Sequence, residues 1–380
     1  MVQEITTQSW GGRLKNALIG IIVGILLIIG AFFLIFWNEG NGLYTAQSLQ
    51  QTRQALISVP STPIEQKNNS RVIYISGMAT TADILKDNLF DLSENAIQLN
   101  RQVQMYQWEE NVETKSEKNM GGSETEVKSY TYVQVWSNDL INSSKFKEQA
   151  THQNPERMPV KSKIQYAQNV TVGDFKLPEN LITEISGSTV VDLSTLDVAA
   201  LKEKFKKPVL HDGGNIYVGE NTDTPKIGDL KIAITKVMPQ TVSIIGQQTG
   251  DTLEPYMAPA GKPIILLSMG QQSSEQIIYE AESANKMLTW VLRLVSLIMM
   301  MIGIAMLMQP IVVLADVIPF LGSIVGFGTG VVAFIFGLCL WAIATAIAWF
   351  SIRPLWAIGL ILIVVAICYV VIRFKKQKSV

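Results

Sequence analysis

The chain is apolar in two blocks and alternates between apolar and polar positions in the long stretch that separates them. From Leu18 to Trp37 no charged residue occurs. At ~1.5 Å per residue this run matches the ~30 Å hydrocarbon core of a bilayer. It exceeds the ~7–15-residue apolar core of a cleavable signal peptide, and no small-residue cleavage site follows it, so it predicts an uncleaved anchor. A second block runs from Trp290 to Ile372, interrupted at Gln309-Pro310, at Asp316 with Pro319, and between Ser351 and Trp356. These breaks predict further spans at 287–309, 324–350 and 354–372, separated at 310–323 by a loop.

Lys and Arg near the span ends set the orientation. Arg13 and Lys15 precede the first span, and Arg373, Lys375, Lys376 and Lys378 follow the last. Both the tail at 1–17 and the basic tail at 373–380 are therefore expected on the cytoplasmic side, together with the 310–323 loop. Residues 38–286 are expected on the opposite side as one large domain. Asn38-Glu39-Gly40 is the predicted exit, a helix stop followed by a new helix near Leu43 to Ile57.

Within that domain, short β-branched and aromatic runs bounded by Gly, Pro or Asn predict strands. The clearest unit is a hairpin with arms at Val103–Glu110 and Tyr130–Ile141, joined by a charged tip around Gly121-Gly122 that reads as a solvated loop. Apolar side chains fall on both faces of its second arm, which predicts a sheet covered on both sides. A helix restarts at Ser273, where Ser273 and Gln276 suit a capping box, and no breaker follows before the membrane. Arg293, about one turn inside, is expected to snorkel outward. The fold class is an integral membrane α-helical protein of four spans with a large β-rich, α+β extracytoplasmic domain.

Composition agrees and removes several functions. The 380 residues are 48% apolar and 17% charged with formal charge -1, leaving no basic excess for nucleic acid. The two cysteines, Cys339 and Cys368, fall in predicted spans, so the domain has neither a disulfide nor a thiolate metal cluster. The two histidines, His152 and His211, lack metal-ligand spacing, and no nucleophile-elbow, phosphate-loop or dinucleotide motif occurs. His211-Asp212-Gly213-Gly214 reads as a turn. Glu109 and Glu110 adjoin in a predicted strand and so point to opposite faces. No catalytic residue, cofactor site or metal site is expected. The spans also lack the array of polar groups that lines a conduction path, and Arg293 and Asp316 lie too far apart along the helices to pair.

The spans do place small residues in register. Gly322, Gly326 and Gly330 repeat every fourth residue, as do Gly20 and Gly24, a spacing that lets helices approach closely. These five are the candidate helix-packing positions.

Several stretches together carry a family resemblance. They are Asn38-Glu39-Gly40 after the first span, Met105–Glu110 with Trp108, Tyr130–Phe146 with Trp136, and His152–Met158. Four more follow: Ile227–Ile234, Gln247–Tyr256, Ala284–Arg293, and Arg353–Ala357 with Pro354 and Trp356. In order and placement they resemble the transmembrane protein 43 (LUMA) family over nearly the whole chain. The resemblance implies a non-enzymatic scaffold that organises membrane protein complexes, with membrane lipids, membrane proteins and further copies of itself as partners. It brings no catalytic residues. The short N-terminal tail favours a bacterial inner membrane with 38–286 periplasmic; in a eukaryote the resemblance implies the endoplasmic reticulum and inner nuclear membrane. The alternative function is a receptor whose outer domain binds a small molecule or lipid.

Overall fold

The computed structural model describes residues 2–194, 196–212 and 214–350, with 358–359 and 362–363 beyond them. The predicted fourth span, and with it Arg353, Pro354 and Trp356, lies outside the described residues. Five α-helices occur among them: α1 (Trp10–Ala55), α2 (Glu179–Glu184), α3 (Val198–Phe205), α4 (Ser274–Ala315) and α5 (Pro319–Phe350). Three, α1, α4 and α5, are long and apolar enough to cross a membrane. The chain divides into two units, one holding 48–113 and 129–281 with the first three residues, the other 4–47, 114–128 and 282 onward.

The first unit is β-rich, as its alternating pattern predicts. An eight-stranded sheet runs in the order Val2–Gln8, Glu124–Ser137, Gln98–Lys118, Leu230–Val237, Asn215–Val218, Val209–Asp212. Thr189–Val190 pairs beside Leu230–Val237, and Lys163–Tyr166 beside Gln98–Lys118. A seven-stranded sheet runs Leu266–Met269, Gln240–Thr249, Thr252–Glu254, Phe175–Lys176, Val170–Val172, Val72–Thr81, Ile57–Ser58. Its long antiparallel pair sets Ile244 against Ile75.

Each sheet buries its own apolar face. Leu99, Val103, Met105, Ile216, Ile232 and Ile234 of the first sheet form one cluster, which also takes in Leu201 of α3. Ile73, Ile75, Val172, Phe175, Val242 and Ile244 of the second form another, which also takes in Leu181 and Ile182 of α2. A third, smaller cluster joins Leu49 of α1, Ile245 and Ile277 of α4. Burying each such side chain contributes about 1.5–3 kcal/mol.

Three expectations change. First, α1 does not stop at Asn38-Glu39-Gly40. The helix continues to Ala55 because the polar residues there find partners on α4, and Gly42 leaves room for Thr289, whose Oγ1 would lie 2.6 Å from an added Cβ. Second, α4 continues through Gln309-Pro310 to Ala315; the one hydrogen bond that proline forfeits is tolerated where the helix is packed on both sides of it. Third, the hairpin arms are longer than the apolar pattern, Gln98–Lys118 and Glu124–Ser137, because backbone pairing carries on through charged, exposed positions. A strand at Val2–Gln8, unforeseen in the tail, lies beside the second arm. At Ser273 the expected cap forms, with the Gln276 backbone N–H donating to Ser273 Oγ at 3.2 Å.

Candidate functional site

In the helical unit α4 is antiparallel to both α1 and α5, and small residues mediate the approach. A Cβ on Gly24 would lie 2.7 Å from the Gly303 carbonyl and 3.1 Å from Met306 Cβ, so the α1–α4 backbones meet there. Gly20, 3.8 Å from Met306 Cε by the same measure, is in ordinary contact. Gly322 has no room for a side chain, since Asp316 Cα would lie 2.7 Å away. Gly326 is in ordinary contact with Val312 at 3.5 Å, and Gly330 faces open space. The regular Gly stripe on α5 is thus a close contact only at its N-terminal member. The intimate α4–α5 approach falls at Gly337, against Met301, where Ala333 and Gly337 continue the small-residue stripe approximately after its regular four-residue spacing ends.

Buried charges close the bundle at two levels. At the first, Glu39 accepts from Arg293 Nε at 2.6 Å, Arg293 Nη2 at 2.7 Å and Trp349 Nε1 at 2.6 Å. The guanidinium lies between the rings of Trp290, 4.7 Å from its centroid, and Trp349, at 5.2 Å. Asn38 Nδ2 donates to the Thr289 carbonyl at 3.0 Å, while Gly40 is loosely packed, with Tyr44 3.8 Å from an added Cβ. Arg293 does not snorkel: it is 9% exposed, held by a carboxylate and two rings. Sequence reasoning missed the pair because its members are distant in the chain; the signal was an acid and a base each next to the polar end of an apolar run.

At the second level, Asp316 is fully buried and receives Arg13 Nη2 at 2.5 Å and Lys118 Nζ at 2.8 Å. Arg13 also donates to Glu124 at 2.9 Å and to the Gly122 carbonyl at 2.7 Å. Trp10 Nε1 donates to the Val313 carbonyl, and the Gly121 N–H to the Val317 carbonyl, both at 3.0 Å, which satisfies carbonyls that the end of α4 leaves open. The hairpin tip is therefore docked rather than solvated, because a buried carboxylate requires counter-charge.

This contact bears directly on sidedness. Charge near the span ends puts Arg13 and the tip on opposite faces of the membrane, whereas the docked tip puts them together. Met120, 78% exposed at the tip, and the exposed Gly11 report on it. With single cysteines at these positions in a cysteine-free background, an impermeant reagent added to intact cells is expected to label both or neither. Labelling of one alone would mean that the tip leaves Arg13 in the bilayer.

In the β-rich unit the quoted family stretches converge on the hairpin. The His152 ring stacks on Tyr132, with centroids 3.8 Å apart and planes at 15°, and meets Trp108 edge-on at 4.6 Å. Tyr132 donates its hydroxyl hydrogen to Glu110 at 2.7 Å; burial first, and this bond second, raise its pKa. Asn154 pairs with the Trp108 backbone in both directions, at 2.7 and 2.8 Å. Trp136 packs on Tyr106 at 5.1 Å and on Tyr217 at 6.1 Å. These contacts fasten the 138–162 loop to the hairpin; the other polar contacts of His152 are local, its Nδ1 lying 2.9 Å from Thr151 Oγ1 and 3.2 Å from the Glu148 carbonyl oxygen. His211 lies apart, in a strand opposite Ile216.

The same loop bounds a recess. Glu124–Ser137 and Lys163–Tyr166 pair along one edge of Gln98–Lys118, and between them the chain leaves the ladder, opening a cavity of about 890 Å³. Its walls are held by Ser162 Oγ on the Val103 N–H at 3.0 Å and by Gln107, which donates to the Asp139 carbonyl and accepts from the Ile141 N–H, both at 2.8 Å.

A family model described as Transmembrane protein 43 matches residues 105–354. Transmembrane protein 43 of Homo sapiens is 30% identical over 304 residues, covering 76% of this chain and 74% of the human protein. That of Mus musculus has the same identity and coverage. The Transmembrane protein 43 homolog of Drosophila melanogaster is 26% identical over 280 residues, with 72% of each chain covered. No solved structure matches the chain.

Proposed function

Because the chain belongs to the transmembrane protein 43 family, we propose that it is a non-enzymatic multi-pass scaffold that organises membrane proteins through its β-rich domain and its helices. The observation that carries this reading is how the family-like polar residues are used. Glu39, Asn38, Trp108, His152 and Asn154 all fasten one part of the chain to another, so they build a rigid frame instead of meeting around a reacting atom. In this reading the partners are membrane lipids, membrane proteins and further copies of the chain, and residues 38–286 act outside the cytoplasm, in the bacterial inner membrane or a eukaryotic internal membrane. Purification of the full chain in mild detergent is expected to yield an oligomer carrying membrane proteins in fixed ratio. A bare monomer across several detergents would overturn the scaffold. The recess of about 890 Å³ favours a second reading, a receptor whose domain binds a small molecule or lipid.

A further inference from the structure

Three cations line the recess, Arg157, Lys161 and Lys163, against one carboxylate, Asp139. All four side chains are exposed, and no salt bridge engages them among the described residues. Elsewhere in this unit the cations nearest the sheet are paired: Arg101 holds Asp87 at 2.7 Å and Lys236 holds Glu94 at 2.7 Å. Exposed lysines on a convex surface are unremarkable, but these project into one concavity together with the side-chain amides of Asn100, Gln102 and Asn138. Beside them Leu140 and Ile164 are 40% and 53% exposed, giving the cationic recess an apolar edge.

Three cations and several amide donors converging on one space, with Asp139 as the one carboxylate in its lining, suit a compact multivalent anion with several acceptor oxygens. The apolar edge suits a second, hydrocarbon part of the same ligand. We propose that this recess binds a phosphate monoester, carried either on a soluble metabolite-sized molecule or on a lipid headgroup. Arg157 supplies a planar fork for two phosphate oxygens, Lys161 and Lys163 supply point charges, and the amides orient the ester. The proposal rests on the ligand-binding reading of the domain and is independent of the scaffold role.

The test uses the full chain in phosphatidylcholine nanodiscs. One arm titrates glycerol 3-phosphate by calorimetry; the other measures capture by phosphatidylcholine vesicles with and without phosphatidic acid. Saturable binding is expected in at least one arm, and which arm responds assigns the phosphate to a soluble ester or to a lipid. Arg157→Gln/Lys161→Gln/Lys163→Gln should weaken it at least about tenfold, whereas Lys86→Gln/Lys202→Gln/Lys206→Gln, removing equal charge elsewhere, should not. Asp139→Asn should tighten it about two- to fivefold, a gain that misfolding does not mimic. Equal loss in both triple variants would reduce the effect to net charge and overturn the proposal. No binding in either arm would also overturn it. In that event, mass spectrometry of the purified protein separates the two failures: a retained phosphate-free ligand leaves the receptor reading standing, and an empty protein removes both.

Discussion

Glu39→Ala is expected to destabilise the helical unit by about 3–5 kcal/mol, the cost of leaving one member of a buried ion pair without its partner. Glu39 is 6% exposed and accepts three charge-assisted bonds, so its removal strands the Arg293 guanidinium and the Trp349 N–H together. The two rings flanking Arg293 offset only a small part of this, because a cation over an aromatic face is worth roughly 0.5–2 kcal/mol. Arg293→Ala should cost a similar amount by stranding the carboxylate. Replacing both by Met removes both charges and fills the space, so the double variant should recover most of the stability lost in either single one. Thermal melting in detergent, run as a double-mutant cycle, reads this out. Strictly additive losses would mean that the pair contributes nothing as a pair.

The second large effect is expected at Gly322. Any side chain there enters the space of the Asp316 carboxylate, and Asp316 is the acceptor for both Arg13 and Lys118. Gly322→Ala should therefore displace Asp316 and weaken its hold on the buried Arg13, which keeps Glu124, a loss of about 1–3 kcal/mol. Gly330→Ala is the contrast, since nothing lies within 4 Å of the added methyl. There the better helix propensity of Ala should be neutral to stabilising by up to about 1 kcal/mol. The two variants differ by one methyl each on the same helix, so melting temperatures compare them directly. Equal behaviour would show that Asp316 relaxes freely and that the close approach is not required.

The comparison of pattern with structure divides along a physical line. Signals that act over a few residues were readable: the apolar runs of α1, α4 and α5, the Ser273 cap, and the break at Asp316 to Pro319. Signals that depend on a distant partner were not. Asn38-Glu39-Gly40 has every local mark of a helix stop, yet Arg293 and Thr289 supply from another helix what the local chain lacks. Val112 to Lys118 carries too much charge to read as strand, and cross-strand pairing overrides the composition. Arg293 looked like a snorkelling residue because its partner precedes it by most of the chain. The recess was unreadable for the same reason, being made where two strands fail to meet along an edge.

The spacing of the two ionic levels has a consequence for where this protein resides. From Arg13 to Glu39 helix α1 rises roughly 39 Å at ~1.5 Å per residue, close to the ~40–45 Å of a bilayer with its headgroups. Each level resists entry into hydrocarbon, so in a bilayer that α1 crosses between them, the arrangement that labelling at Gly11 and Met120 tests, they would act as end stops that fix depth and limit tilt. A protein so gauged is matched to one thickness of membrane. A thicker or thinner bilayer must deform locally to receive it, at a fraction of a kcal/mol per Å, which is enough to bias its distribution among membranes of differing thickness within one cell.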